Sequence, residues 1–213
     1  PEKGWTVLSL PNAFPALRPD PLTPDIVGDR LYRSMPSKGV CEVLVYTPRH
    51  DVSLADLTVD NIRAVVDLWT QRFEELSKRD YVKYVFIFEN KGRIIGVTLD
   101  HPHGQLYAFP FVPPVVQKEL ASSRKYWKRT GACLFCTIIE KELKEAVRIV
   151  CENEDFVCFL PFFAHWPYGV HIYPKRHVAA LTEFTDKEKT MFASILKTVL
   201  RKFENLFNAS FPY

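Results

Sequence analysis

The hydrophobic positions fall into two long helical stripes, each preceded by β-rich runs. From Thr58 onward, apolar side chains recur at Ile62, Val65, Val66, Trp69, Phe73 and Leu76. Those spacings of three and four predict an amphipathic helix of about five turns. The second stripe, Phe192, Ile195, Leu196, Val199, Phe203 and Leu206, follows Thr185-x-x-Glu188. That pair is a capping box, which marks a helix start. Both stripes read as core-facing surfaces. After the first helix, YVKYVFIFEN from Tyr81 reads as a strand, KGR as a turn, and IIGVTLDHPHGQLYAF from Ile94 as a continuing strand. Proline has no N–H for a ladder, so Pro102 is expected to bend that strand. Residues 112–131 read as a connecting segment with a short basic helix.

The two stripes belong to an internal repeat. In GVCEVLVYTPRH from Gly39 and YGVHIYPKRH from Tyr168, a β-rich run leads into proline, basic residues and histidine: Pro48, Arg49 and His50, then Pro174, Lys175, Arg176 and His177. A leucine follows four places later in each (Leu54, Leu181), then Leu57-Thr58 or Phe184-Thr185, then the helix. WTVLSLPNAFPAL from Trp5 likewise resembles FVCFLPFFAHWP from Phe156. Two units are expected, residues 1–115 and residues 131–213. The second stops before it reaches a counterpart of HPHGQ, so it reads as truncated at its C-terminal end and the chain as a piece of something longer. Repeated strand, strand, helix, strand with antiparallel pairing predicts an α+β fold, an antiparallel sheet with packed helices.

Composition narrows the chemistry. An apolar content of 47% over 213 residues is ample for a core. The 28 basic and 25 acidic residues are interspersed, without the basic stripe of a nucleic-acid binder, so no nucleic acid is expected as a partner. There is no apolar run of about 18 residues and no signal-peptide layout at the start, so no membrane association is expected and the location is read as cytoplasmic. Two of the five cysteines form Cys133-x-x-Cys136, which in that setting points to metal or redox chemistry.

Cys133, Cys136 and the downstream His177 suit zinc, because a borderline-soft ion accepts both thiolate and imidazole. A fourth ligand is expected beyond Tyr213, where the repeat places the partner of His177. In the first unit, His50 and His101 form the complementary half of such a site. The stretch HPHGQ raises a separate question. An extended chain would put His101, His103 and Gln105 on one face with neighbours about 7 Å apart. The two imidazoles could then share a metal, or Pro102 could turn them to different targets. Gly104 permits close approach of a ligand, and Asn90 and Thr98 supply neutral donors suited to phosphate oxygens.

HPHGQ preceded by FENKG, together with PNAFPAL near the start and ACLFCTII and PKRHVAALTEFT in the second unit, resembles the galactose-1-phosphate uridylyltransferases of the histidine-triad superfamily. The resemblance covers essentially the whole chain and implies tandem histidine-triad-like repeats. It implies a nucleotidyltransferase in which His103 attacks the α-phosphorus of UDP-glucose, holds UMP covalently, and passes it to galactose 1-phosphate. Gln105 would hydrogen-bond the transferring phosphoryl group, where relatives that hydrolyse nucleotides carry a third histidine. Asn90 and Thr98, the latter where serine is usual, would contact phosphate. Asn12 and Phe14 would line the nucleoside pocket, with Ala13 standing where the family usually has aspartate. His50 and His101 would hold zinc, and Glu119 matches the glutamate of a second metal site (zinc or iron). A homodimer is implied. The alternatives are an ADP-sugar or dinucleoside-polyphosphate phosphorylase on the same scaffold, or a nucleotide-binding module without catalysis.

Overall fold

A computed structural model describes residues 4–26 and 28–213. In it, two antiparallel sheets are joined through a pair of packed helices. The first sheet runs in the order β1 (Leu8–Pro11), β2 (Val40–Val45), β4 (His103–Phe109), β3 (Tyr84–Phe88). Helix α1 (Val59–Ser77) crosses one face of it. There Val40, Leu44, Leu106 and Ala108 of the strands meet Ile62, Val65 and Val66 of the helix in the larger core. Glu42, on the same face, is buried but paired: Arg72 of α1 donates to it at 2.7 Å, and Ser9 donates at 2.8 Å.

The second sheet has the order β5 (Ile149–Glu152), β6 (Phe156–Phe159), β7 (His171–Pro174). Helix α4 (Asp186–Phe207) packs on it through Ile195 and Val199 against Phe156 and Cys158. α4 also reaches the first core, where Ala193 is fully buried and Phe192, Leu196 and Leu200 pack alongside. Arg63 of α1 donates to the carboxylate of Asp186 at 2.9 Å, and Lys189 meets Asp67 at 3.1 Å. The architecture is α+β, as the patterns predict.

Three segments depart from the sequence reading. Residues 94–102 are not strand: a single 3-10 turn spans Arg93–Ile95 and the ladder begins at His103. Gly92 (φ 113°) and Gly96 (φ 90°) take left-handed conformations that no extended run accommodates. The short basic helix is a full one, α2 (Pro114–Thr130), with Pro114 in its first turn and Gly131 (φ 70°) ending it. A further helix, α3 (Leu134–Glu145), begins directly after Cys133, and β5 adds a strand ahead of the repeat's own.

Candidate active site

His103 opens β4, opposite Val45, and Gln105 follows opposite Val43. The strand's alternation puts His103, Gln105, Tyr107 and Phe109 on one half-exposed face and buries Gly104, Leu106 and Ala108 on the other. The Nδ1 of His103 lies 2.8 Å from the carbonyl oxygen of His101. A carbonyl can only accept, so Nδ1 carries the proton and Nε2 keeps its lone pair. His101 stands outside the strand, and its Nε2 lies 2.7 Å from the carbonyl oxygen of Thr47. A carbonyl only accepts, so Nε2 is the donor in that bond. The backbone N–H of Tyr46 donates to the carbonyl of buried Pro102 at 3.1 Å, which fixes the bend between the imidazoles.

Gly104 has a different reason from the one its motif suggests. A Cβ there would come 2.0 Å from the hydroxyl of fully buried Tyr46. The glycine makes room for a core side chain on the face away from His103.

His50, Asn90, His101 and His103 all line one cavity of about 530 Å³, closed on its far side by Ser53, Lys91 and the end of α4 at Glu204 and Asn208. Other expected site residues lie outside it. Gln105 and Thr98 are not in its lining. Asn12 Oδ1 accepts from the backbone N–H of Phe14 at 2.9 Å in a tight turn, and the Phe14 ring is 93% exposed. Glu119 is exposed on α2, where its charge faces Tyr84, His171 and Tyr173 rather than a cluster of metal donors.

Cys133, Cys136 and His177 come together, with their donor atoms all within 4.8 Å of one another and Cys136 Sγ 3.1 Å from His177 Nδ1. Ligands on a tetrahedral zinc with bonds of about 2.3 Å lie roughly 3.4–3.8 Å apart, so this donor set fits zinc. It is the one such group of three among the described residues, and His50 and His101 have no third donor beside them there.

A buried polar cluster went unread in the sequence. Glu89, at the end of β3, accepts from the hydroxyl of Tyr213 at 3.0 Å, and burial raises its carboxyl to about 7. Lys91 meets Glu204 at 2.9 Å, both largely buried, and exchanges backbone hydrogen bonds with Tyr213 at 2.7 and 3.0 Å. These contacts span more than a hundred residues, and no local pattern announces them.

Known proteins are similar to this chain over nearly its whole length. The galactose-1-phosphate uridylyltransferase of Thermotoga maritima is 42% identical over 98% of the chain, that of Streptomyces lividans 42% over 99%, and that of Rattus norvegicus 39% over 95%. The chain spans 65%, 55% and 53% of their respective lengths. A solved uridylyltransferase superposes with a TM-score of 0.92 at 40% identity, covering 99% of this chain and 67% of its own. An ADP-glucose phosphorylase from Arabidopsis thaliana with bound ADP-glucose superposes at 0.85 with 25% identity, covering 98% and 63%. No helix among the described residues is long and apolar enough to cross a membrane. Residues 6–113 match the family model for the N-terminal domain of galactose-1-phosphate uridyl transferase and residues 119–213 match that for its C-terminal domain, so the chain belongs to the galactose-1-phosphate uridyl transferase family.

Proposed function

We propose that the protein is a UDP-glucose–hexose-1-phosphate uridylyltransferase working by two successive displacements at His103. The observation that carries this reading is the 2.8 Å contact of His103 Nδ1 with the His101 carbonyl. It holds the imidazole in the tautomer whose Nε2 is nucleophilic near neutral pH. In the first half-reaction Nε2 attacks the α-phosphorus of UDP-glucose. The N–P bond forms as the bridging P–O bond breaks, and the electron pair leaves on glucose 1-phosphate. As the imidazole gains positive character, the carbonyl on its other nitrogen stabilises it. In the second half-reaction a phosphate oxygen of the hexose 1-phosphate attacks the same phosphorus and returns the electron pair to Nε2.

Gln105, on the same face of β4 as His103, donates to the transferring phosphoryl group without adding charge. Asn90 and Thr98 contact phosphate oxygens, and Asn12 and Phe14 meet the nucleoside. Cys133, Cys136 and His177 hold a zinc ion that braces α3 against the segment after β7. His50 and His101 furnish half of a first-unit zinc site, and Glu119 serves a second metal, zinc or iron. The two units are residues 1–115 and 131–213. The protein acts in the cytoplasm as a homodimer. An uncovered row of aromatic rings on the first sheet, Tyr84, Phe86, Phe88, Tyr107, Phe109 and Phe111, with successive centroids 5.0–6.3 Å apart, supports that assembly.

A second reading, an ADP-sugar phosphorylase using the same histidine, is favoured by the likeness to the ADP-glucose phosphorylase and by Ala13. One experiment separates the readings. Protein incubated with UDP-glucose or ADP-glucose labelled in the nucleoside is denatured and assayed for bound label. Uridine label retained by the wild type and absent from His103→Asn is the expected result. Label retained from ADP-glucose alone selects the phosphorylase, and label from neither rejects covalent catalysis.

A further inference from the structure

The proposed chemistry uses Asn90 but not the groups on either side of it. The Asn90 side chain makes no hydrogen bond among the described residues, yet its neighbours are anchored on both flanks. Glu89 is tied to the Tyr213 hydroxyl at 3.0 Å. Lys91 is tied to the Tyr213 backbone at 2.7 and 3.0 Å and to Glu204 at 2.9 Å, and Ser53 reaches the same Glu204 oxygen at 3.3 Å. Phe88, just before the loop, pairs with Gln105. Its carbonyl also lies 3.1 Å from where a Gly104 Cβ would stand. The anchored loop therefore leaves the sheet directly beside the nucleophile's strand and holds Asn90 over the cavity.

We infer that Glu89 and Tyr213 are a positioning pair that aims the Asn90 amide at the transferring phosphoryl group. The inference rests on the functional reading above. Burying this carboxyl costs stability, since water would solvate its charged form better. The groups facing it are Tyr213, Lys91 from its own loop and Tyr46 just after β2, with Glu204 of α4 behind Lys91. A titratable side chain kept at such a cost beside a reaction centre is the kind of group that function retains.

The test measures the rate of covalent labelling of His103, the KM for the sugar nucleotide and the melting temperature in the intact protein. Tyr213→Phe removes the hydrogen bond and is expected to slow labelling about tenfold or more, the scale of one bond to a charged group. Glu89→Gln keeps an acceptor without charge and is expected to fall between it and the wild type. KM stays within about twofold in both, because misaiming affects the transition state more than ground-state binding. Glu89→Gln also melts higher than the wild type at pH 8, which separates slower chemistry from a weakened fold. In an Asn90→Ala background, Tyr213→Phe slows labelling no further, because its effect passes through Asn90. Unchanged labelling in the single variants overturns the inference, as does a full Tyr213→Phe effect in the absence of Asn90. A wild type that takes no label at all instead sinks the functional reading, and the inference with it.

Discussion

The single bond from His103 Nδ1 to the carbonyl of His101 decides which nitrogen is the donor, and the core on the opposite face of β4 decides that Gly104 must follow. The period of two places His101, His103 and Gln105 on one face of an extended chain; the structure keeps His103 and Gln105 together on β4 and leaves His101 in the bend before it. The sequence also suggests that Gly104 serves a ligand, where the packing reason lies in Tyr46, 58 residues away in the chain. Gly104→Ala is expected to lose about 1–3 kcal/mol in a denaturant titration, the range of an overpacked core. Tyr46→Phe recovers part of that loss by removing the hydroxyl, the rest remaining because the ring carbon behind it would still lie 2.8 Å from the new Cβ. Alone, Tyr46→Phe is close to neutral, since its buried hydroxyl has no hydrogen-bond partner among the described residues. A Gly104→Ala variant as stable as the wild type contradicts this packing account. Glu89 adds a pH dependence of its own. Its folded pKa, raised to about 7, lies above the unfolded carboxylate value, so the folded state binds more protons in between. Stability falls as pH climbs from about 4.5 to about 7 on this account, and Glu89→Gln flattens that part of a melting-temperature curve.

Among the elements, the amphipathic helices were legible end to end and the one that opens on the Cys-x-x-Cys pair was not. α4 begins where its capping box predicts: Thr185 accepts from the N–H of Glu188 at 3.2 Å, and Glu188 accepts from the N–H of Thr185 at 2.8 Å. Arg176 beside Glu188, together with the capping bonds, holds that carboxyl down to about 2. Its depressed pKa means a contribution present above the ordinary carboxylate range and lost as pH falls toward about 2. Thr185→Ala is expected to cost about 1 kcal/mol at neutral pH, and the deficit to narrow below pH 4 in parallel urea titrations. α3 was missed because its cap is Cys133, which makes no side-chain capping bond and carries no start signal. The Cys-x-x-Cys spacing was visible, but not that it wraps the first turn of a helix. If zinc holds that turn to His177, a chelator lowers the melting temperature and Cys136→Ser abolishes the chelator's effect. The strand expected over 94–102 rests on an apolar run, and the left-handed Gly96 within it (φ 90°) breaks the extension.

For the molecule as a whole, the repeat in the sequence implied two units side by side, and the structure joins them more closely than that. Phe192 of α4 packs into the core of the first sheet and also into the core of the second. That sharing was invisible in the helical stripe, which records that a residue faces inward but not which sheet it meets. Phe192→Ala is expected to remove about 3 kcal/mol and to lower both halves together, seen as one coincident thermal transition by fluorescence and by circular dichroism. Two separated transitions contradict the shared core. The packing of α1 on α4 also sets what separation would cost: either sheet taken with its one helix alone would leave that helix bare on the side its neighbour now covers, so the two halves are expected to hold their shape only in each other's company.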